Sequence, residues 1–167
     1  EEVLAAAKGE SVGRPHIAEV LLRKGFAKNV RQVFKEFLGS RGKAYLPKTV
    51  LEPEESVSLL ASSKKTVSLA HPLLWKAQAG WLDTVVARLK DYGLSAIEAY
   101  HSEHSEADIR TCLALAKRFD LGVSGGSDYH GSNKPTIRLG HGYGGLRVSQ
   151  SVLEDLKQRR LAAGLDI

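Results

Sequence analysis

The sequence predicts an α/β fold in which alternating strands and helices build a parallel sheet or barrel. From Thr66 onward, short β-branched or apolar runs alternate with amphipathic helical segments, an order typical of right-handed βα crossovers. The chain has 167 residues, 43% of them hydrophobic, which suffices for one domain with a substantial core. No apolar run approaches the roughly 20 residues that span a bilayer, so we expect no membrane-spanning segment.

The first 62 residues predict helices. Pro15 suits a first helical turn, and the side chain of Asn29 can cap the helix that follows it. Acidic residues after Pro53 lie where a helix dipole favours them. The predicted helices cover residues 2–8, 15–24, 30–38 and 53–62. Residues 17–42 are therefore expected to form a small basic helical hairpin.

The rest of the chain predicts three strands, each followed by a helix. The strands are rich in β-branched and small apolar residues, and the helices place apolar residues on one face. The predicted strands are 66–70, 96–100 and 121–124, and the helices are 82–92, 105–119 and 149–162. The glycines at 125 and 126 are expected to turn the chain after the third strand.

Potential metal ligands follow the three predicted strands. His71 follows the first strand, His101 the second, and Asp128 and His130 follow the third. The carboxyl ends of parallel strands meet at one edge of a sheet or barrel, where such folds build their sites. Imidazole and carboxylate groups are the usual ligands of Zn, Mn and Fe, so this placement predicts a metal-dependent hydrolytic site.

Each of these residues also has a simpler interpretation. Asp128 can cap the element that follows it while His130 is solvated, and His71 before Pro72 can be an ordinary loop residue. His16, in the first turn of a helix, can be a capping or surface histidine. The residues alone leave both interpretations open.

Other polar groups give weaker predictions. His101, His104 and His141 lie in polar or glycine-rich loops, where a solvated side chain is the default expectation. Cys112 has apolar neighbours in a predicted helix and is expected to be a small core residue. One cysteine excludes an internal disulfide framework and fits a reducing compartment, so we expect a cytoplasmic protein. The sequence contains no phosphate-binding P-loop and no G-x-S-x-G elbow.

Basic residues cluster between the second predicted helix and residue 48. They are interleaved with Phe26, Phe34 and Tyr45, a combination that can bind nucleic-acid phosphates and stack on bases. The pattern also suits a solvated face above an aromatic core, which is the interpretation we prefer. The cluster comprises Lys24, Lys28, Arg31, Lys35, Arg41, Lys43 and Lys48. The formal net charge of +5 suits either a phosphorylated substrate or simple solubility.

Four short motifs occur in order along the chain. They are Gly13-Arg14-Pro15-His16-Ile17-Ala18, Leu69-Ala70-His71-Pro72, Ile97-Glu98-Ala99-Tyr100-His101 and Gly126-Ser127-Asp128-Tyr129-His130-Gly131. With Tyr45-Leu46-Pro47 and Ile137-Arg138-Leu139-Gly140, this order resembles the PHP (polymerase and histidinol phosphatase) family. It is most similar to the nucleotide phosphatase and exoribonuclease branch, and the resemblance extends over essentially the whole chain.

The resemblance implies part of a distorted TIM-like βα barrel that binds up to three divalent metal ions (Mn, Zn, Fe or Mg) and hydrolyses phosphoesters. Residues 1–16 and 51–167 would form the α/β domain, and residues 17–50 a helical insertion that covers the site. The implied metal ligands are His16, His71, Asp128 and His130. His101, at the rim, or Lys134 would assist the reaction electrostatically or as an acid, while Arg14 and Lys76 are the cations expected to bind substrate.

The chain departs from the family pattern in two places. The family opens with an H-x-H strand, an Asp-His motif and a metal-bridging Glu, and these do not precede the Gly-Arg-Pro-His motif here. Because the chain contains no Met and its first residue is Glu1, we expect it to be the C-terminal portion of a longer domain. The family also continues His-Pro with Gly-Arg, whereas Pro72 is followed here by Leu73-Leu74-Trp75-Lys76, and Lys76 lacks the bidentate fork of an arginine.

These observations predict a metal-dependent phosphoesterase that acts on nucleoside phosphates, nucleoside bisphosphates or short RNA ends. The alternatives are a noncatalytic or degenerate metal-binding module, and a helical nucleic-acid-binding module beside a passive α/β body. A barrel without its first strands exposes a sheet edge, so we expect the isolated chain to dimerise, exchange strands or be marginally stable.

Overall fold

The computed structural model describes residues 1–7, 11–47, 50–75, 78, 80–131 and 134–167, which divide into two units after residue 50. The elements of the first unit are α1 (Glu2–Ala6), α2 (Arg14–Arg23), α3 (Val30–Val33) and a π-helical turn, Phe34–Leu38. Those of the second unit are α4 (Pro53–Ser62), β1 (Ser68–Leu69), a 3-10 turn (Pro72–Trp75), α5 (Trp81–Asp91), β2 (Ala96–His101), α6 (Glu106–Arg118), β3 (Gly122–Gly126) and α7 (Gln150–Ala162). Each α-helix and strand matches a predicted element, with ends that differ by a few residues, and the π-helical turn lies in the predicted helix 30–38, whereas the 3-10 turn was not predicted.

The first unit is a small helical module with its own core. The side chain of Asn29 accepts a hydrogen bond from the Gln32 N–H and caps α3, as the sequence predicts. The buried core consists of Ala18, Val33 and Leu38, with Phe34 and Phe37 packed against it. Phe34 is thus a core residue, whereas Phe26 is 57% exposed and Tyr45 is also exposed. The preferred interpretation of an aromatic core beneath the basic residues therefore holds for only one of the three aromatics.

The second unit confirms the predicted mixed α/β class with a parallel sheet. β1 pairs with β2 and β2 with β3, both in parallel, so β2 is the central strand. Helices α5 and α6 bury Val86, Leu89, Cys112 and Leu115 against Ile97 of β2 in one continuous core. In the parts of the chain that the structure describes, no helix is long and apolar enough to cross a membrane. The distorted TIM-like barrel remains a prediction.

A bulge in β2 sets the direction of the last residue of that strand. Glu98 pairs with Ser124, but the next pair is Tyr100 with Gly125, so Ala99 is an extra residue. Side chains alternate between the two faces of a regular strand, which would send His101 to the same face as Ile97, toward the helices. The extra residue shifts the alternation by one, and Tyr100 packs against the helical core instead. His101 consequently shares the face of Glu98.

Gly125 and Gly126 belong to β3, so the prediction that they turn the chain is wrong. A Cβ at Gly125 would lie 2.6 Å from the Cβ and 2.8 Å from the carbonyl oxygen of Tyr100, closer than real contacts allow. A Cβ at Gly126 would meet only a carboxyl oxygen of Glu98, at an ordinary 3.5 Å. Glycine at 125 therefore lets β3 approach the bulge closely, which is a role for glycine inside a strand.

Gly125→Ala should destabilise the second unit. The added methyl group meets backbone as well as a side chain, so β3 must shift, and overpacking of this kind costs about 1–3 kcal/mol. Gly126→Ala is the matched control, because its methyl group has room and alanine lowers the entropy of the unfolded chain. Urea unfolding of the two variants measures the difference. Equal stabilities would contradict the close approach at the bulge.

Cys112 is fully buried on α6, as predicted. Burial raises the pKa of its thiol to about 11, mainly because the thiolate would lose its hydration. At pH 8 only about one thiol in a thousand is then ionised. We expect a thiol reagent such as iodoacetamide to modify native protein very slowly and urea-unfolded protein rapidly, as followed by mass spectrometry. Rapid alkylation of native protein would show that α6 opens readily.

Candidate active site

The ends of the three strands bring several of the predicted site residues together in the second unit. The imidazole rings of His71 and His101 meet edge to face, with their centroids 5.3 Å apart. The Nε2 atom of His101 lies 3.7 Å from a carboxyl oxygen of Asp128. The strand-end placement read from the sequence therefore produces a real cluster of polar side chains.

His101 is the last residue of β2 and is only 2% exposed, so its default expectation as a solvated loop residue is wrong. Its Nδ1 accepts a hydrogen bond from the Glu103 N–H at 3.1 Å, which leaves Nε2 to carry the proton of the neutral ring. Burial lowers the pKa of His101, while Glu98 and Asp128 oppose that effect. At neutral pH the ring is therefore mostly an uncharged donor whose Nε2–H faces Asp128.

His104 is a site residue that the sequence analysis missed. Its Nδ1 donates to the carbonyl oxygen of Ala99 at 2.9 Å, because a carbonyl can only accept. Its Nε2 is buried, and the described residues provide no partner for it. The ring packs on His101 with centroids 5.2 Å apart. The expectation of a solvated side chain failed because the chain turns back after β2, with the His104 N–H donating to the carbonyl of His101.

Glu98 is a second site residue that the sequence analysis missed. One of its carboxyl oxygens accepts a 2.7 Å hydrogen bond from the backbone N–H of His71. His71 has a φ of +29°, a backbone conformation that side chains rarely adopt, and this bond helps to hold it there. The sequence did contain a signal for this role: Glu98 lies between Ile97 and Ala99 in an otherwise apolar strand, where an unpaired acid would be costly.

Asp128 is held by its neighbours in a fixed orientation. Lys134 donates a hydrogen bond to its carboxylate, which holds the pKa of Asp128 below and that of Lys134 above the usual values. The Nδ1–H of His130 donates to the backbone carbonyl of Asp128 at 2.7 Å. That bond leaves the Nε2 lone pair of His130 available to a ligand, and His130 is half exposed.

Two hydrogen bonds to Ser127 hold the loop that carries Asp128. Its hydroxyl accepts from the Gly140 N–H at 3.1 Å, and its carbonyl accepts from the Ser102 hydroxyl at 2.7 Å. Ser127 is itself buried. The residues that follow β2 and β3 are thus connected directly, which keeps Asp128 beside His101.

The donor set only partly fits a metal centre. His71 Nδ1, His101 Nε2 and His104 Nε2 are buried imidazole nitrogens without a partner in the described part of the chain. Unpaired buried nitrogens of this kind are costly unless a ligand satisfies them. The carboxylate of Asp128 and Nε2 of His130 are suitable donors nearby. Across the described residues, however, no three His, Cys, Asp or Glu side chains are arranged to hold an ion.

The structure also describes three of the four other residues that the sequence singles out. His16 belongs to the first unit, where its Nδ1 accepts from the Gly13 N–H at 3.0 Å and closes the start of α2. Arg14 also belongs to that unit and lines a pocket of about 390 Å³ with Tyr45 and Leu46. His141 is exposed, as expected. Lys76 lies outside the described residues.

A cleft of about 430 Å³ opens beside the histidines. It is lined by His101 and His104 on one side and by Tyr143 and Arg147 on the other. The cleft therefore places an arginine beside two imidazole rings whose Nε2 atoms are buried. The guanidinium is a donor that suits an anionic oxygen ligand such as a phosphate.

Comparisons with known proteins agree with this chemistry. The chain is 31% identical over 134 residues to 5′-3′ exoribonuclease Rnm of Escherichia coli, over 80% of this chain and 45% of that protein. It is 25% identical over 132 residues to the 3′,5′-nucleoside bisphosphate phosphatase of Chromobacterium violaceum, over 79% of this chain and 46% of that protein. The chain is related to bacterial phosphoesterases. It spans about half the length of these curated relatives.

A solved structure extends the relationship to the fold. A crystal structure from Bifidobacterium adolescentis, assigned as a metal-dependent phosphoesterase, matches with a TM-score of 0.70 and 26% identity. The match covers 95% of this chain and 55% of the other. No protein-family model matches the chain. The relatives reported above are, by name, an exoribonuclease, a phosphatase and a phosphoesterase, which are all hydrolases.

Glu98→Ala should remove the hydrogen bond that holds the backbone N–H of His71. Loss of the acceptor leaves a partly buried N–H without a partner, and we expect hydrogen exchange at the His71 amide to quicken about tenfold or more. Glu98→Gln keeps a side-chain oxygen in place and should retain most of the protection. Glu106→Ala, at an exposed position on α6, is the control. NMR-detected exchange that is equally slow in wild type and Glu98→Ala would contradict this role for Glu98.

Proposed function

We propose that the protein containing this chain is a metal-dependent phosphoesterase of the PHP type that hydrolyses nucleoside phosphates, nucleoside bisphosphates or RNA ends. The chain would supply the C-terminal part of that domain, with residues 1–16 and 51–167 in the α/β domain and residues 17–50 as a helical insertion over the site. The observation that carries the proposal is the cluster, where the strands end, of Asp128, His130 and buried imidazole nitrogens for which the described residues provide no partner.

The proposed metal ligands are His71, Asp128 and His130, joined by His16 from the first unit. His130 is prepared for ligation, because its Nδ1–H is already used by a backbone carbonyl and the Nε2 lone pair is free. His16 would need its Nδ1 protonated to ligate through Nε2, at the expense of its bond from Gly13. Bound divalent ions, Mn, Zn, Fe or Mg, would supply Lewis acidity and a water of lowered pKa. The remaining ligands would come from parts of the protein outside this chain.

His101 would bind the phosphate and assist departure of the leaving group. Because Glu103 donates to Nδ1, the neutral ring offers its Nε2–H as a donor from a desolvated position. Such a donor is stronger than one in water, because no solvent competes for the phosphate oxygen. A neutral ring that lost this proton would become an imidazolate, so the neutral form would act as a hydrogen-bond donor, and only the protonated ring could serve as a general acid.

Lys134 would complement the negative charge of the substrate. Its hydrogen bond to Asp128 raises its pKa and keeps it cationic over the working pH range. It also holds the Asp128 carboxylate ionised and in place. Arg14, from the first unit, and Lys76 remain proposed contacts to substrate phosphates.

Asp128→Ala should abolish hydrolysis in the full-length protein. Removal of the carboxylate takes away a ligand and frees Lys134, so Mn-dependent phosphate release from 3′,5′-adenosine bisphosphate should fall about 100-fold or more. Asp155→Ala is the control, because Asp155 is exposed on α7 and pairs with Arg159 of the same helix. Colorimetric phosphate release measures both variants. Activity that survives in Asp128→Ala would refute the catalytic proposal.

One observation favours a second candidate, the noncatalytic or degenerate metal-binding module. No three donor side chains among those described are arranged around an ion. This candidate predicts that wild-type protein binds Mn without releasing phosphate from any nucleotide. Measured turnover by wild-type protein that is lost in Asp128→Ala would eliminate it.

A further inference from the structure

Two exposed tryptophans contact each other in the segment that follows β1. The indole rings of Trp75 and Trp81 are 5.4 Å apart at an angle of 74°, an edge-to-face pair. Trp75 is 44% and Trp81 39% exposed. The pair thus keeps a large aromatic surface in water, which is unfavourable in itself and typical of surfaces that bind a ligand.

The backbone that follows the carboxyl end of β1 fixes the positions of both tryptophans. Pro72 is fully buried and Leu73 packs against the core, so the 3-10 turn that leads to Trp75 is anchored from below. Gly80 adopts a left-handed conformation with φ of +80° and starts α5. Trp81 is the first residue of that helix, and its indole ring contacts the ring of Trp75. Both indoles are held by elements with fixed backbone geometry.

The pair lies within a nucleotide's reach of the proposed phosphate site. His71 immediately precedes the 3-10 turn that ends at Trp75. With a rise of roughly 2 Å per residue, the Cα atoms of His71 and Trp75 are separated by about 8 Å. A nucleotide with its phosphate beside His71 and His101 can extend its sugar and base over that span.

We propose that Trp75 and Trp81 form a stacking platform for the base of the nucleotide substrate. An edge-to-face pair leaves one face of an indole free, and a purine or pyrimidine can stack on it. Such stacking is tolerant of base identity, because every base presents a π-face. The segment after His71-Pro72 is where the chain departs from the family pattern, so the platform is a property of this chain. The proposal rests on the proposed function and adds the place where the base of such a substrate binds.

Intrinsic fluorescence tests the platform directly, because Trp75 and Trp81 are the two tryptophans of the chain. The full-length protein is titrated with adenosine, AMP and ribose 5-phosphate, and the signal of a Trp75→Phe/Trp81→Phe double variant is subtracted. We expect adenosine and AMP to quench the fluorescence, since a base stacks on the ring. Ribose 5-phosphate has the same phosphate without a base and should leave the fluorescence unchanged.

Substitutions give the size of the effect. Loss of a stacking partner should weaken AMP binding by about 5- to 150-fold in Trp75→Ala and in Trp81→Ala. Ribose 5-phosphate binding, measured by calorimetry, should not change. Trp75→Phe should restore most of the affinity, because phenylalanine also stacks. Tyr92→Ala, which removes a 46% exposed aromatic at the opposite end of α5, is the matched control. Circular dichroism verifies that each variant is folded.

The outcomes separate this proposal from the proposed function. Adenosine cannot release phosphate, so its quenching supports the platform even if no phosphoester is hydrolysed. Equal losses for AMP and ribose 5-phosphate in the Trp→Ala variants would overturn the platform, as would unchanged fluorescence with adenosine. A blue shift with phosphatidylcholine and phosphatidylglycerol vesicles but no quenching by adenosine would also overturn it, in favour of a lipid surface.

Discussion

The arrangement of the site depends on the close approach of β3 to the bulge in β2. Gly125 has no side chain, so the backbone of β3 can lie against Tyr100, where any Cβ would collide. The bulge turns Tyr100 into the helical core and His101 toward Asp128. Without the extra residue, a histidine would point into the apolar layer between sheet and helices. The geometry of one strand pair therefore decides whether His101 is a costly core residue or a site residue.

The electrostatics of the site follow from this geometry. His101 loses water on burial and becomes an uncharged donor, whereas Asp128 and Lys134 remain charged because they bond to each other at a partly exposed position. The neutral donor and the ion pair are thus adjacent but differently solvated. A phosphate entering beside them would meet fixed donors and one cation, which is the preorganised arrangement that stabilises charge developing on oxygen. Glu98 and Ser127 contribute by fixing the backbone at His71 and Asp128.

The features that depend on local sequence patterns were predicted correctly. Helical periodicity, the Asn29 cap and the apolar strands are properties of neighbouring residues, so the elements and the strand-end cluster were found in advance. The bulge, the strand assignment of Gly125 and the burial of His104 depend on which residues pair across the sheet, and a glycine run is equally typical of a turn. Glu98 was missed as a functional group for the same reason, since its partner is a backbone N–H twenty-seven residues away.

The proposed phosphate contact and the proposed base platform lie at opposite ends of the 3-10 turn that follows His71. His71, at its start, is tied to Glu98 and faces the histidine cluster, while Trp75, at its end, is exposed beside Trp81. Buried Pro72 and partly buried Leu73, which packs against the core, connect them. Binding of a substrate at both ends would cost the protein little conformational entropy, because the two contact points are already at a fixed separation. In the proposed function, the phosphate contact at the strand end and the base contact in the loop could therefore change independently, because the sheet constrains the first and the packing of Pro72 and Leu73 constrains the second.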